Sequence, residues 1–308
     1  MKVLVTGGGG YIGSLLVPAL LEQGYVVTVL DDFRFEVSSL LAVVHHRNLT
    51  IVNGDIRDHR IASDLFTSHD VLIPLAALVG APLCDKSPHD AKTINLEAPL
   101  NMFKLLSPNQ LVLMPTTNSA YGTSDTVCDE KTVLKPLSTY AAHKVEVEKA
   151  LMDRENSTSF RLATVFGASP RMRIDLLVND FVYKACKDAA LVLFESNFKR
   201  NYIHVRDVCN TFIWALENGN VVRGEIFNVG LSSANLSKAE LCETIKQFIP
   251  NFVWFEHALT KDPDQRNYVV SNAKLEAKGW LPQYTIHDGI EELIKAYKTF
   301  KKNVSGNV

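Results

Sequence analysis

The chain has 308 residues, 46% hydrophobic and 21% charged, an ordinary globular composition with room for one large domain or two moderate ones. A formal charge of −2 gives no long-range attraction for nucleic acid or an anionic membrane, so neither partner is expected and an anionic ligand needs a local basic cluster. The five cysteines (84, 128, 186, 209 and 242) show no CxxC and no metal-ligand spacing, which argues against a metal centre and for a reducing, cytoplasmic setting.

MKVLVTGG at the N-terminus enters a strand at once, so no signal peptide is expected. Strands are predicted at Lys2–Thr6, Val26–Leu30, Leu49–Val52, Val71–Ala77, Gln110–Pro115 and Thr158–Ala163, with helical patterns near 11–23, 57–68, 89–106 and 138–154. The longest apolar stretch, Val71–Leu83, contains Pro74 and is too short to cross a bilayer. Several strands are continuous apolar runs, as in strands buried on both faces. Alternating β and α elements predict a Rossmann-type, doubly wound parallel sheet, an α/β fold. Residues 1–165 form the expected first domain, re-entered near 201–217, and 166–308 a smaller mixed α/β domain. In the second part we expect a basic loop with Arg171 and Arg173, a helical stretch from Asp175 to Lys187, a strand at Asn201–Val205 and a short strand after 225. A helix near 237–249, a loop around 260–270 and a terminal helix near 288–302 follow. There is no internal repeat.

The first strand runs into Gly7-Gly-Gly-Gly-Tyr-Ile-Gly13. Glycines 7, 10 and 13 fit GxxGxxG, and glycines 8, 10 and 13 fit GxGxxG. Either spacing permits a tight turn and lets a backbone approach a pyrophosphate seated on a helix N-terminus. Asp31 ends the second strand, 18 residues after Gly13, where a carboxylate accepts both adenosine ribose hydroxyls. It also repels a 2′-phosphate and so favours NAD over NADP; Arg34 is the counter-signal.

The fifth strand leads into Thr116-Thr-Asn-Ser-Ala-Tyr-Gly122, and ligands of open α/β sheets lie beyond strand carboxyl ends. Thr117 is therefore placed beside a substrate hydroxyl. Tyr140 and Lys144 are spaced i, i+4, on one helix face. An ammonium ~4 Å from a phenol at an effective dielectric of ~20 interacts by about 4 kcal/mol, enough to bring the phenol from ~10 toward 7. Thr117 then orients a hydroxyl, Tyr140 takes its proton, and Lys144 tunes the tyrosine and holds the nicotinamide ribose.

These residues resemble the extended short-chain dehydrogenase/reductase family of NAD-dependent sugar-nucleotide epimerases and dehydratases. The likeness is carried by TGGGGYIG (6–13), LDD (30–32), NGDIRD (53–58), PLAALVG (74–80), TIN (93–95), TTNSAYG (116–122), YAAHK (140–144), FRLATVFG (160–167), RNYIHVRDV (200–208) and RNYVVSNAK (266–274). It implies that NAD is held by Gly7, Gly10, Tyr11, Ile12, Gly13, Asp31, Asp32, Asp55, Ile56, Leu75, Ala76 and Ala77, with Tyr140 and Lys144. It implies substrate contacts at Thr117, Asn118, Ser119, Thr164, Arg171, Arg173, Asn179, Arg200 and Arg266, places Asn95 against the strand-five region, and implies a homodimer through the helices near 89–106 and 138–154. His143 is read as environment, and Cys84 as a buried, inert thiol.

Relatives that eliminate water carry Asp-Glu after the Thr, and decarboxylases carry Glu two positions after it. Here those positions are Asn118 and Ser119, which do no acid–base work near neutral pH. What remains is oxidation of a sugar carbinol, at carbon 4, with or without return of the hydride. PLAALVGAPLC (74–84), RLATVFGASPRMRIDLLVNDF (161–181) and GLSSANL (230–236) further resemble bacterial capsule-pathway GDP-heptose 4-dehydrogenases, implying a GDP-linked manno-configured heptose or hexose in surface-polysaccharide synthesis. A 4-epimerase with the same residues is the alternative reading, and a non-catalytic NAD-sensing protein the third.

Overall fold

The computed structural model describes residues 1–35, 38–257 and 266–299. Its strands are β1 (Lys2–Thr6), β2 (Val26–Asp31), β3 (Leu49–Asn53), β4 (Val71–Pro74), β5 (Leu111–Thr117), β6 (Thr123–Cys128), β7 (Ser157–Leu162), β8 (Thr164–Phe166), β9 (Ala190–Leu193), β10 (Lys199–His204), β11 (Glu225–Val229), β12 (Asn235–Ser237), β13 (Val253–Glu256) and β14 (Asn267–Val270). Seven form one sheet in the order β11-β7-β5-β4-β1-β2-β3, every neighbouring pair parallel. The fold is the doubly wound α/β sheet expected. From β1 the chain winds outward through β2 and β3, then returns to the other side of β1 as β4. That reversal opens a crevice beyond Thr6 and Pro74, the place where such sheets bind ligands.

Helices cover both faces of this sheet. Leu16, Val17 and Leu20 of helix Gly13–Glu22 pack with Val208 and Phe212 of helix Val205–Glu217 on one face. Ala62, Phe66, Met102, Val147 and Leu151 fill the other. Val3, Leu4 and Val5 of β1 are fully buried, each such side chain contributing ~1.5–3 kcal/mol relative to exposure. Helix Val205–Glu217 packs on the main sheet and β11 pairs with β7. A second core joins helices Leu177–Lys187, Lys238–Phe248 and Ile286–Ala296. Among the described residues no helix is long and apolar enough to cross a membrane.

Several boundaries differ from expectation, for local reasons. The strand expected over Val71–Ala77 stops at Pro74; Leu75 turns its N–H to Thr6 O at 2.9 Å, and the chain peels away as the crevice wall. The helix expected over 89–106 is Pro88–Lys92, a π-helical turn at Thr93–Glu97, and Ala98–Leu105. Pro99 has no N–H for the usual i−4 bond, and a wider turn absorbs that defect. Of the loop expected around 260–270, residues 258–265 lie outside the described residues, but Asn267–Val270 is a strand pairing with β6. The terminal helix starts earlier, at Ile286, behind a capping box of Thr285 and Asp288.

Candidate active site

A cavity of about 1250 Å³ lies along the carboxyl ends of β1, β2, β4 and β5 and under the loops after β8. Its cofactor-side wall is the glycine turn. Gly7 has φ +72°, and a Cβ there would sit 2.6 Å from Ala76 N; a Cβ at Gly13 would sit 2.5 Å from Gly8 Cα. A Cβ at Gly8 would meet only the Val29 methyls among its nearest neighbours below 3 Å, so the backbone constraints fall on 7 and 13 and the GxxGxxG spacing is the working one. The turn delivers the chain into helix Gly13–Glu22, whose first N–H groups lack helical partners.

Asp31 sits at the carboxyl end of β2 and lines the cavity. It accepts N–H bonds from Gly9 and Phe33, both 2.8 Å, so it fixes the glycine turn as well as facing the ligand space. Burial raises its carboxyl above the ordinary range. Arg34 is not poised for a 2′-phosphate: its Nε donates to Asp32 Oδ2 at 2.7 Å, and the two form an ion pair. Asp55 is held by Arg57, with Nε at 3.0 Å and Nη2 at 2.6 Å, and Arg57 reaches on to Asp90 at 2.7 Å. Ile56, Leu75, Ala76 and Ala77 complete this wall. Asn95 departs from expectation. Its fully buried amide accepts from Leu78 N and donates to Leu78 O, both 2.8 Å, and so holds the loop after β4 rather than the strand-five region.

The reacting end is built by β5 and helix Thr139–Leu151. Ser138 caps that helix by accepting from Ala141 N, so the helix starts at Thr139, one residue before Tyr140. Thr117, Ser119, Tyr140 and Lys144 all line the same cavity as the glycine turn. Thr117 Oγ1 accepts from Ser119 N at 3.1 Å and donates to Ser119 Oγ at 3.0 Å. Arg266 also donates to Ser119 Oγ. Lys144 is 3% exposed yet has no hydrogen bond or ion pair among the described residues. An unpaired buried cation on a cavity wall is poised for ligand hydroxyls.

The electrostatics overturn one expectation. Burial, rather than attraction between Tyr140 and Lys144, dominates both groups. It pushes the Tyr140 phenol up to about 12, against downward pulls from Arg173 and Arg266, and the Lys144 ammonium down to about 8. Cys84 is fully buried, its thiol raised by burial and donating to Leu78 O at 3.3 Å, in keeping with an inert role.

Arg171, Arg173, Arg200 and Arg266, with Thr164, also line the cavity, the local basic cluster that a net charge of −2 requires. Asp175 pairs with Arg173. Two residues assigned to the substrate do not reach this cavity. Asn179 is fully buried, accepting from Gly167 N at 3.0 Å and donating to Arg173 O at 2.9 Å. Asn118 is 1% exposed and turned into the protein. Tyr11 lines the cavity, but its hydroxyl is committed to Gly167 O at 2.7 Å. Phe33 and Phe35 line it too and carry no sequence signal that would have marked them. Beneath the site, Glu148 and Arg161 form a buried ion pair at 2.6 Å; Glu148 lies four residues after Lys144, the one available hint.

A family model described as the NAD dependent epimerase/dehydratase family matches residues 3–230. Among curated relatives, the low-salt glycan biosynthesis protein Agl12 of Haloferax volcanii is 27% identical, covering 96% of this chain and 98% of its own. A UDP-glucose 4-epimerase of Halalkalibacterium halodurans is 28% identical over 92% of this chain and 91% of its own. Among solved structures, the UDP-glucuronic acid 4-epimerase of Bacillus cereus, in complex with UDP-glucuronic acid and NAD, superposes with a TM-score of 0.85 at 22% identity, covering 97% of this chain and 99% of that one.

Proposed function

This chain belongs to the NAD-dependent epimerase/dehydratase family, and from that premise we propose that it oxidises a nucleotide sugar at carbon 4. It is an NAD-dependent enzyme. The glycine turn, closed to a Cβ by backbone at Gly7 and Gly13, and the acid at the end of β2 fit that cofactor. NAD, when bound, supplies the hydride acceptor and a cationic ring. The observation that carries the reading is Lys144, buried and unpaired among the described residues, on one cavity wall with Thr117 and Tyr140. Thr117 orients the sugar hydroxyl through its own hydroxyl. Tyr140 takes the hydroxyl proton as the carbon–hydrogen bond is broken, leaving a ketone. Lys144, charged below about pH 8, stabilises the phenolate and the cofactor ribose.

Asn118 points away from the cavity and Ser119 carries no charge, so the turn after β5 supplies no carboxylate for eliminating water. This supports simple carbon-4 chemistry. The finer substrate reading is a GDP-linked manno-configured heptose or hexose in bacterial surface-polysaccharide synthesis. It rests on the segments 74–84, 161–181 and 230–236 alone; the relatives named above act on UDP-sugars or in glycan biosynthesis. The second reading, a nucleotide-sugar 4-epimerase, is favoured by those same relatives. On either reading residues 1–165, re-entered near 201–217, form the cofactor domain, and 166–308 form the domain that brings in the sugar nucleotide.

Mixing stoichiometric enzyme and NAD with a GDP-manno-heptose is expected to raise absorbance at the reduced-nicotinamide band and release a 4-keto sugar. A carbon-4 epimer formed with no steady absorbance change overturns the dehydrogenase in favour of the epimerase. A response to UDP- or dTDP-sugars only overturns the GDP assignment. We further propose a homodimer through the helical segments Pro88–Lys92 and Ala98–Leu105 and helix Thr139–Leu151; a concentration-independent monomer in sedimentation rejects it.

A further inference from the structure

We propose that Arg171 is a cofactor residue, a phosphate clamp that the second half of the chain closes over the NAD pyrophosphate. The proposal rests on the NAD assignment and moves Arg171 from the sugar nucleotide, where its sequence neighbourhood places it, to the dinucleotide. Three observations carry it.

The first is where its loop is anchored. After β8 the chain crosses to the glycine turn and is fastened there. Tyr11 donates to Gly167 O at 2.7 Å, Ser169 Oγ donates to Tyr11 O at 2.7 Å, and Ser14 and Ser169 hydroxyls meet at 2.8 Å. The Arg171 N–H itself points to Ser14 Oγ at 3.4 Å, and Ser14 belongs to the first turn of the helix that the glycines open.

The second is where the guanidinium lies. Arg171 is 3% exposed but lines the cavity, and its Cζ stands 4.1 Å from the ring centroid of Phe35, in the loop that follows Asp31. The guanidinium thus lies beside the loop that follows the ribose acid, with Nη1 donating to Met172 O at 2.8 Å. A planar fork of N–H donors suits a diphosphate better than it suits an uncharged sugar. The other arginine on this side, Arg34, is paired with Asp32, while the glycine turn offers only backbone dipoles.

The third separates Arg171 from Arg173. Arg173 forms an ion pair with Asp175, two residues on in its own loop, whereas the Arg171 guanidinium lies against Phe35, in the loop that follows Asp31. Two arginines two residues apart therefore have different surroundings, and Arg173, with Arg200 and Arg266, remains for the sugar nucleotide.

The test is equilibrium binding of NAD, ADP-ribose and adenosine to the wild type, Arg171→Gln and Arg173→Gln. Arg171→Gln is expected to weaken NAD and ADP-ribose by about 10- to 100-fold, the range of a charge-assisted hydrogen bond, and to leave adenosine within about twofold. Arg173→Gln is expected to bind all three normally. If Arg171→Gln does not fold, Arg171→Lys serves, keeping the charge but not the fork, with a loss of about threefold or more expected for ADP-ribose. Unchanged ADP-ribose affinity in the folded variant overturns the proposal. Equal losses for ADP-ribose and adenosine also overturn it, because Arg171 would then be propping the Phe35 loop. A wild type that binds no NAD refutes the cofactor assignment itself, a result separable from either.

Discussion

Tyr140→Phe is expected to leave NAD bound and to lower kcat by about 10²–10⁴-fold, the loss that follows removal of a positioned acid–base group. The ring stays, so the packing of helix Thr139–Leu151 is kept and only the proton acceptor goes. The pH dependence gives a second readout. Burial holds the phenol at about 12, so in the free enzyme the basic form is scarce at neutral pH and grows as pH rises. The kcat/KM profile of the wild type should therefore climb with pH. Above about pH 8 Lys144 loses its proton, the phenolate loses its nearby cation, and the climb should flatten. Tyr140→Phe should abolish the rise, while Thr117→Val, which orients the hydroxyl without exchanging the main proton, should keep it at a lower level. Activity within threefold of wild type in Tyr140→Phe would falsify the relay.

The parts of this site legible in the sequence are those whose chemistry is local. Gly7 and Gly13 are needed by a turn a few residues long, and Asp31 follows at a spacing fixed by one helix and one strand. Tyr140 and Lys144 share a face because a helix repeats every ~3.6 residues. The Tyr140 phenol is different, since its proton affinity is set first by burial and then by the charges of Cys84, Arg173 and Arg266, all distant in sequence. Attraction between neighbours is visible in a spacing; desolvation is not. Asn179 misled for a similar reason. The family resemblance implies a substrate contact there, yet its amide is used to tie Gly167 to Arg173. The strand pairing of β6 with β14 joins segments over a hundred residues apart, and neither has an alternation strong enough to announce it. Arg34 shows the opposite case. The sequence sets it against Asp31 as a competing signal, and the short-range ion pair with Asp32 resolves it.

Glu148→Ala is expected to destabilise the protein by about 3–5 kcal/mol, the range for stripping one partner from a buried ion pair. Tyr140, Lys144 and Glu148 fall at i, i+4 and i+8 on helix Thr139–Leu151, so the stripe that faces the cavity continues into the protein as a carboxylate. Glu148 is 4% exposed and accepts from Thr116 Oγ1 at 3.0 Å, Ser159 Oγ at 2.6 Å and Arg161 Nη2 at 2.6 Å. Arg161, also 4% exposed, continues to the Tyr121 hydroxyl at 3.0 Å. Thr116 and Tyr121 bracket the turn that carries Thr117, so one carboxylate joins the turn to the helix that carries Tyr140 and Lys144. Its removal strands a guanidinium in the core and leaves the Thr116 and Ser159 hydroxyls, 2.9 Å apart, only each other. Urea unfolding should show the midpoint falling with an unchanged slope, as for a loss of stability without a change in the surface exposed. Replacing both partners with apolar residues of similar volume, Glu148→Leu with Arg161→Met, should recover most of the stability, because no charge is left buried. It should not recover kcat, because the hydrogen bonds that set Thr117 against Tyr140 and Lys144 are gone. If the double variant regains full turnover, Glu148 serves the fold alone and the spacing of the three reacting groups is set elsewhere.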